Sequence, residues 1–262
     1  MTEQEAPLRP AATILLLRDA PALQVMMVKR HHQIDFASGA LVFPGGKVTK
    51  GDSDVPASRI RSNPQLPQEL NSFALGAIRE CFEECGILLA YDAISGEMVS
   101  ADRATELTPF RPLLDKGQLS LARFVEEQDL VLAVDQLVHF AHWIGPKMAP
   151  KRFDTHFFLA LAPERQLAVH DGREAVDSFW IEPGKAMEEQ KKGRATIIFP
   201  TRCNLDKLAQ SATTEEAMTK AAASDVVTVE PWVEEREEGT VLCIPPEADY
   251  PITAEAIATA IR

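Results

Sequence analysis

The chain has 262 residues, of which 45% are hydrophobic, enough to bury a substantial core in one large domain. Asp and Glu outnumber Lys and Arg by 39 to 27, so the formal net charge is -12, and no basic block stands out. This composition argues against duplex nucleic acid as a main partner, because binding to a phosphate backbone needs a concentrated positive surface.

The cysteines and the N-terminal region bear on the cellular compartment in which the protein is found. Four cysteines are too few for a disulfide framework and lack the spacing of a zinc site, which favours free thiols in a reducing compartment. The first apolar run, residues 11–17, is much shorter than the roughly 20 residues that a membrane span requires. We therefore expect a cytoplasmic protein without a membrane partner.

The first third of the chain predicts a hairpin, a glycine-rich turn and a long helix. Apolar alternation over residues 11–28 indicates two strands, and a short strand at 40–43 leads into the turn PGGKVTKGD. Residues from about 53 to 71 carry three prolines and little periodicity, so we expect an inserted surface loop there. Helical periodicity resumes at about Ser72 and continues to about Leu89.

The remainder of the chain alternates strands and helices. Further strands are predicted at 139–145, 152–162 and 175–182. Further helices are predicted at 120–137, 183–192, 200–212 and 213–224. A last hairpin turns at Glu237, Glu238 and Gly239. This layout is typical of an α+β fold with a mixed sheet.

Three carboxylates are concentrated in the helix that contains AIRECFEECGILL. At about 100° per residue, Glu80, Glu83 and Glu84 fall within an arc of roughly 100°. Like charges at this spacing repel one another and destabilise a helix, and Arg79 offsets only part of the repulsion. A hard divalent cation such as Mg²⁺ removes the repulsion, because it prefers oxygen ligands. The helix is therefore a candidate metal platform, the alternative being an ordinary solvated polar face.

The glycine turn and this helix together resemble the signature of the Nudix hydrolases. Gly46 takes the first position, and RECFEECGI, residues 79–87, fills the second half of the pattern completely. Asp52 stands where the family has Glu, and 26 residues separate it from Arg79 where the pattern has seven. The resemblance extends over about residues 11–210 and is greatest to the branch that contains the mammalian peroxisomal coenzyme A diphosphatase.

The resemblance implies a Nudix α/β/α sandwich that hydrolyses a nucleoside diphosphate linked to another group. It implies that Glu80, Glu83 and Glu84, with the carbonyl of Gly46, hold Mg²⁺, which Mn²⁺ can replace. Arg79 orients a glutamate, while Arg30, Gly45 and Gly46 are candidate contacts for the substrate. Two candidates for the group that accepts the proton stay open, Glu80 and Glu174.

The same resemblance predicts the domain boundaries and leaves the substrate and the oligomeric state open. We expect a Nudix domain over 1–210, with the insertion at about 53–71, and a C-terminal helix and hairpin extension over 211–262 that packs on it. Coenzyme A or a derivative is the first candidate substrate, and ADP-ribose, NADH and dinucleoside polyphosphates are the others. A nucleotide-sensing module without turnover is the competing function, and a homodimer contact at the C-terminal hairpin stays open.

Overall fold

The computed structural model describes residues 5–30, 39–166, 168 and 175–260. Its strands are β1 (Leu8–Asp19), β2 (Leu23–Arg30), β3 (Leu41–Val42), β4 (Gly45–Lys47), β5 (Ala90–Asp92), β6 (Leu130–Leu132), β7 (Val138–Ile144), β8 (Arg152–Leu161), β9 (Ala175–Ile181), β10 (Thr228–Val229), β11 (Trp232–Arg236), β12 (Gly239–Cys243) and β13 (Ala254–Ala256). Its helices are α1 (Lys50–Ser53), α2 (Asn71–Cys85), α3 (Ala101–Leu107), α4 (Arg111–Asp115), α5 (Leu121–Glu127), α6 (Pro183–Lys191), α7 (Phe199–Leu208), α8 (Thr214–Ala223) and α9 (Ile257–Ala260).

A mixed sheet of eight strands lies at the centre of the described structure. Six strands follow the order β10-β7-β8-β1-β2-β3, while β4 pairs with β1 and β9 pairs with β2. β1 and β2 form the predicted hairpin, with Leu17 opposite Val25, and β8 runs parallel to β1 on its other side. The sheet therefore joins strands from both halves of the chain.

Helices cover both faces of this sheet, because the central strands have apolar side chains on each face. Along β1, Ile14 and Leu16 pack in the core beneath α2, whereas Leu15 and Leu17 pack in a second core with α7 and α8. Two small sheets, β5-β6 and β11-β12-β13, complete the described part of the chain. This confirms the α+β layout with a mixed sheet between helical layers.

The long helix begins and ends close to the predicted limits. α2 runs from Asn71 to Cys85 and stops earlier than expected because Gly86 has a φ of 73° and its N–H donates to the Phe82 carbonyl oxygen at 2.9 Å. The helix predicted over 120–137 is wrong in its second half. α5 ends at Glu127, and the apolar run that follows forms β6, since short apolar runs fit either periodicity.

The insertion is not the loose surface loop that its prolines predict. Val55, Leu66 and Leu70 are buried in the core that contains α2. The N–H of Arg61 donates to the Leu132 carbonyl oxygen at 2.9 Å, next to a bridge between Ile60 and Leu132. The prediction failed because three widely spaced apolar side chains leave no periodic pattern, yet each is buried by tertiary packing.

The C-terminal segment packs on the face of the sheet opposite α2. The predicted hairpin is formed by β11 and β12. Trp143 Nε1 donates to the Tyr250 hydroxyl at 2.9 Å, and that hydroxyl donates to Asn204 Oδ1 at 2.9 Å. The division of the chain at residue 210 stays a prediction. Within the ranges described above, no helix combines the length and apolar character needed to cross a bilayer.

Candidate active site

Glu80 and Glu84 of α2 lie against the glycine turn of β4, and Arg79 joins Glu83 to Glu80. We call Glu80, Glu83 and Glu84 the carboxylate cluster, and their exposed fractions are 9%, 7% and 5%. These values exclude a solvated polar face, since α2 is buried on every side from Ala74 to Cys85. Because buried carboxylates are rare unless they are paired or coordinate a metal, the cluster needs a specific compensating charge.

Two glycines allow β4 to approach α2 on one side and β1 on the other. The N–H of Gly45 donates to Glu84 Oε2 at 2.9 Å. A Cβ on Gly46 would lie 2.5 Å from Glu80 Oε2, and one on Gly45 would lie 2.5 Å from the Ala12 carbonyl oxygen. Any side chain at these positions would therefore displace a glutamate or the neighbouring strand.

Arg79 connects the carboxylate cluster to the start of the signature. Its Nη1 donates to Glu80 Oε1 and to Glu83 Oε2, both at 2.9 Å, and its Nη2 donates to the Lys47 carbonyl oxygen at 2.7 Å. Its Nε and Nη2 also donate to the two carboxylate oxygens of Asp52, at 2.7 and 3.1 Å. One guanidinium thus contacts three carboxylates.

Asp52 occupies the position at which the family signature has Glu, and it is fully buried. Besides its paired contact with Arg79, it accepts hydrogen bonds from the N–H of Thr49 at 2.7 Å and from Thr49 Oγ1 at 3.1 Å. α1 places Asp52 next to α2, although 26 residues separate Asp52 from Arg79 in the sequence. Asp52 therefore holds the two halves of the signature together.

The electrostatics of the carboxylate cluster indicate a shortage of positive charge. Burial raises the pKa of Glu83 to about 8, although the charge of Arg79 acts in the opposite direction. Burial and the charge of Glu80 raise the pKa of Glu84 well above its usual value, against the hydrogen bond from Gly45. Burial lowers the pKa of Arg79, but Asp52, Glu80 and Glu83 raise it more, so that it lies above its usual value.

The residues of the carboxylate cluster fit a hard divalent cation. Glu83 Oε1 is buried and has no hydrogen-bond partner among the described residues. Because Gly46 has no Cβ, its backbone lies directly beside the Glu80 carboxylate. Carboxylate and carbonyl oxygens are the ligands that Mg²⁺ and Mn²⁺ prefer in proteins.

Of the two remaining predicted residues, Arg30 lies within the described ranges and Glu174 does not. Arg30, at the end of β2, lies close enough to the carboxylate cluster for its charge to oppose the rise in the pKa of Glu84. Its Nε is buried with no hydrogen-bond partner in the described ranges. Glu174 lies outside the described residues, so its predicted role stays a prediction.

One contact at this site has no signal in the sequence. Arg111 is buried, and its Nε and Nη2 donate to the Glu83 carbonyl oxygen at 3.1 and 2.9 Å. It lies 28 positions beyond Glu83, at the start of α4, in a stretch with no motif. The contact supports the last turn of α2, where carbonyl oxygens lack partners within the helix.

Comparisons with known proteins agree with this geometry. A protein named "Putative nudix hydrolase 7" from Caenorhabditis elegans is 27% identical over 77% of this chain and 61% of its own length. The acyl-coenzyme A diphosphatase NUDT19 of Xenopus laevis is 22% identical over 87% of this chain and 71% of its own length. The chain thus spans about three fifths to seven tenths of these relatives.

A solved structure and a family model extend the comparison. The crystal structure of a Nudix hydrolase from Alicyclobacillus acidocaldarius superposes with a TM-score of 0.72 at 25% identity, covering 84% of this chain and 99% of that chain. The family model described as the NUDT19 Nudix domain matches residues 54–208, a range that contains the insertion and all of α2. This chain therefore belongs to the Nudix hydrolases, in the family of the NUDT19 Nudix domain.

Proposed function

We propose that this chain is a Mg²⁺-dependent hydrolase that cleaves the diphosphate linkage of a nucleoside diphosphate joined to another group. The observation that carries the proposal is the buried carboxylate cluster, in which Glu80 and Glu84 contact the glycine turn and Glu83 Oε1 has no hydrogen-bond partner among the described residues. Buried carboxylates facing a glycine turn suit a cation that binds substrate phosphates.

We assign a role to each residue of the site. Glu80, Glu83 and Glu84 hold Mg²⁺, or Mn²⁺ in its place, together with the carbonyl oxygen of Gly46. When bound, Mg²⁺ would neutralise the charge of the diphosphate and favour attack by water at phosphorus. Arg79 positions Glu80 and Glu83, since it donates to both carboxylates.

We assign the groups around the carboxylate cluster to substrate binding and proton transfer. Arg30, whose Nε is buried without a partner in the described ranges, contacts a phosphate. Gly45 contacts the diphosphate through its backbone, and a Cβ at this position would lie 2.5 Å from the Ala12 carbonyl oxygen of β1. Glu80 is the candidate proton acceptor within the described residues, and Glu174 is the second candidate.

Coenzyme A or an acyl derivative is the first substrate class that we propose. Its support is the similarity to relatives named acyl-coenzyme A diphosphatase, one of which is aligned over 87% of this chain. ADP-ribose, NADH and dinucleoside polyphosphates contain the same diphosphate chemistry and are the alternatives. Cytoplasmic location and a homodimer stay predictions.

A substrate panel with and without Mg²⁺ tests this function. Acyl-coenzyme A, coenzyme A, ADP-ribose, NADH and a dinucleoside polyphosphate are each incubated with the full chain, and products are identified by mass spectrometry. We expect Mg²⁺-dependent cleavage between the two phosphorus atoms of at least one compound. For coenzyme A the products are 3′,5′-ADP and phosphopantetheine.

Two variants complete the experiment. Glu84→Gln removes one negative charge from the cluster at nearly constant shape, so we expect turnover to fall at least about a hundredfold. Glu126→Gln changes an exposed glutamate of α5 and serves as the matched control. Binding of these nucleotides without any product, in the presence of Mg²⁺, would instead support the sensing module. Full activity of Glu84→Gln would contradict the roles assigned here.

A further inference from the structure

A second group of potential ligands lies on the same face of the sheet as α2. His142 of β7 pairs directly with His156 of β8, and Asp154 precedes His156 by two positions, so all three side chains share one face. We call these three residues the His–Asp cluster. Their ligand atoms all lie within 4.8 Å of one another.

The contacts within the His–Asp cluster place two imidazoles around one carboxylate oxygen. His142 Nε2 lies 2.6 Å from Asp154 Oδ1, and His156 Nε2 lies 3.8 Å from the same oxygen. The imidazole rings stack with centroids 3.9 Å apart and planes 9° apart. To bind one cation through Nε2 of His142 and Nε2 of His156, the two rings must rotate modestly out of this stack.

Each imidazole is held through its other ring nitrogen. His142 Nδ1 lies 2.8 Å from Thr228 Oγ1, and His156 Nδ1 lies 3.0 Å from His139 Nε2. Histidines that bind metals usually have their second nitrogen fixed in this way, which sets the tautomer and the direction of the ligand lone pair. The Phe73 ring, whose centroid lies 4.3 Å from that of His156 with the planes at 60°, further restrains His156.

The His–Asp cluster is separate from the carboxylate cluster. Ala12 of β1 pairs with Gly46 on one side and with His156 on the other, so two strand spacings, roughly 10 Å, separate the Gly46 and His156 backbones. The ligands of the two clusters also come from different elements, α2 for the carboxylate cluster and β7 and β8 for the His–Asp cluster. The two clusters also differ in chemistry, because one has oxygen donors and the other combines imidazole nitrogens with a carboxylate.

The accessibility of the His–Asp cluster suits an ion that enters from solvent. The exposed side-chain fractions are 17% for His142, 26% for Asp154 and 9% for His156. The cluster is thus partly open, while its inner member is fixed in the core. Two imidazoles and one carboxylate are a known ligand set for Zn²⁺ and related ions, and they leave one coordination position open.

We propose that His142, Asp154 and His156 form a binding site for a borderline divalent transition-metal ion such as Zn²⁺, distinct from the Mg²⁺ site of the carboxylate cluster. The proposal is independent of the proposed function, since it rests on other residues. Thr228 and His139 act as positioning residues that hold the two imidazole ligands.

Zinc titration of the full chain tests this proposal. Excess Mg²⁺ is present throughout to occupy the carboxylate cluster, and bound Zn²⁺ is followed by calorimetry and by competition with a chromogenic chelator. We expect one Zn²⁺ per chain, loss of that site in Asp154→Asn, and an affinity reduced by about tenfold or more in Thr228→Val, which keeps the shape but loses the hydroxyl. The Glu84→Gln variant should bind Zn²⁺ as tightly as the unmodified chain.

Several outcomes would overturn the proposal. They are absence of Zn²⁺ binding by the unmodified chain, unchanged binding by Asp154→Asn, or loss of binding by Glu84→Gln alone. Any of these would leave the His–Asp cluster as a hydrogen-bonded group without a ligand. Thermal unfolding of each variant verifies that it is folded, and Thr228→Val supplies the test if Asp154→Asn does not fold.

Discussion

At the scale of single residues, Asp52 links parts of the signature that the sequence separates. Asp is shorter than the Glu of the family signature, so its side chain reaches less far. The structure compensates by bringing α1 against α2 at Gly76, where a Cβ would lie 3.3 Å from Asp52 Oδ2. The short carboxylate therefore reaches Arg79 because the opposing position on α2 has no side chain.

Replacement of Asp52 by Ala should strongly destabilise the fold. The change leaves Arg79 buried without its paired carboxylate, and breaking a buried ion pair in this way costs about 3–5 kcal/mol in the free energy of unfolding. Denaturant titration followed by circular dichroism measures the loss. Glu106→Ala is the control, since it removes a mostly exposed partner of Arg103 and should change stability little. Equal losses in both variants would contradict a linking role for Asp52.

At the scale of elements, the close packing of β4 between α2 and β1 explains why the turn contains two glycines in a row, since a Cβ on Gly46 would meet Glu80 and one on Gly45 would meet Ala12. Gly46→Ala would force a Cβ to within 2.5 Å of Glu80 Oε2, so the glutamate must move. Displacement of a catalytic group by about 1 Å can lower activity by roughly a hundredfold, and we expect a loss of that size in Mg²⁺-dependent kcat/KM.

Gly51→Ala is the matched control for this prediction. A Cβ on Gly51 would meet its nearest atom at 3.6 Å, an ordinary contact, and alanine is a better helix former than glycine. This variant should keep full activity with equal or slightly higher thermal stability. If both variants kept full activity, the close approach of Gly46 to Glu80 would have no catalytic role.

The elements also indicate which parts of the fold can be predicted from the sequence. α2, the N-terminal hairpin and the strands β7, β8 and β9 follow periodic patterns, and each was predicted with small errors in its limits. The prediction of a surface loop for the insertion was wrong, because Val55, Leu66 and Leu70 are buried through contacts with distant parts of the chain. The helix predicted at α5 was too long, since the apolar residues of β6 continue its apolar pattern.

At the scale of the whole molecule, long-range strand pairing decides which side chains meet. The carboxylate cluster was predictable because its members lie within five positions of one helix. The His–Asp cluster was not predicted, because His142 meets His156 only through the register of β7 and β8. The sequence does show that Asp154 and His156 alternate along one strand and so share a face. This spacing indicates a metal site only when the strand that pairs with it is known.

The arrangement of the two helical layers bears on substrate choice. The insertion packs on the α2 face of the sheet, the face that carries the carboxylate cluster. The C-terminal residues Leu242, Ile244 and Tyr250 pack in the core on the opposite face. We therefore expect exchange of the insertion between relatives to alter the substrate preference more than changes in the C-terminal hairpin.

The most direct test of the central claim, that the carboxylate cluster holds a divalent cation, is a Mn²⁺ titration followed by electron paramagnetic resonance. Below a pH of about 8 the cation must displace a proton from Glu83, whose pKa is raised to about 8 by burial. The apparent affinity should therefore increase as the pH rises from 6.5 to 8, by up to about tenfold per pH unit for each proton displaced.

Two variants assign the Mn²⁺ signal to its site. In Glu84→Gln the tight site should be lost at every pH, whereas Asp154→Asn, which alters the His–Asp cluster, should retain it. Tight, pH-dependent Mn²⁺ binding that is lost in Glu84→Gln is the predicted result. Absence of tight binding in the unmodified chain, or equal affinity in Glu84→Gln, would contradict it.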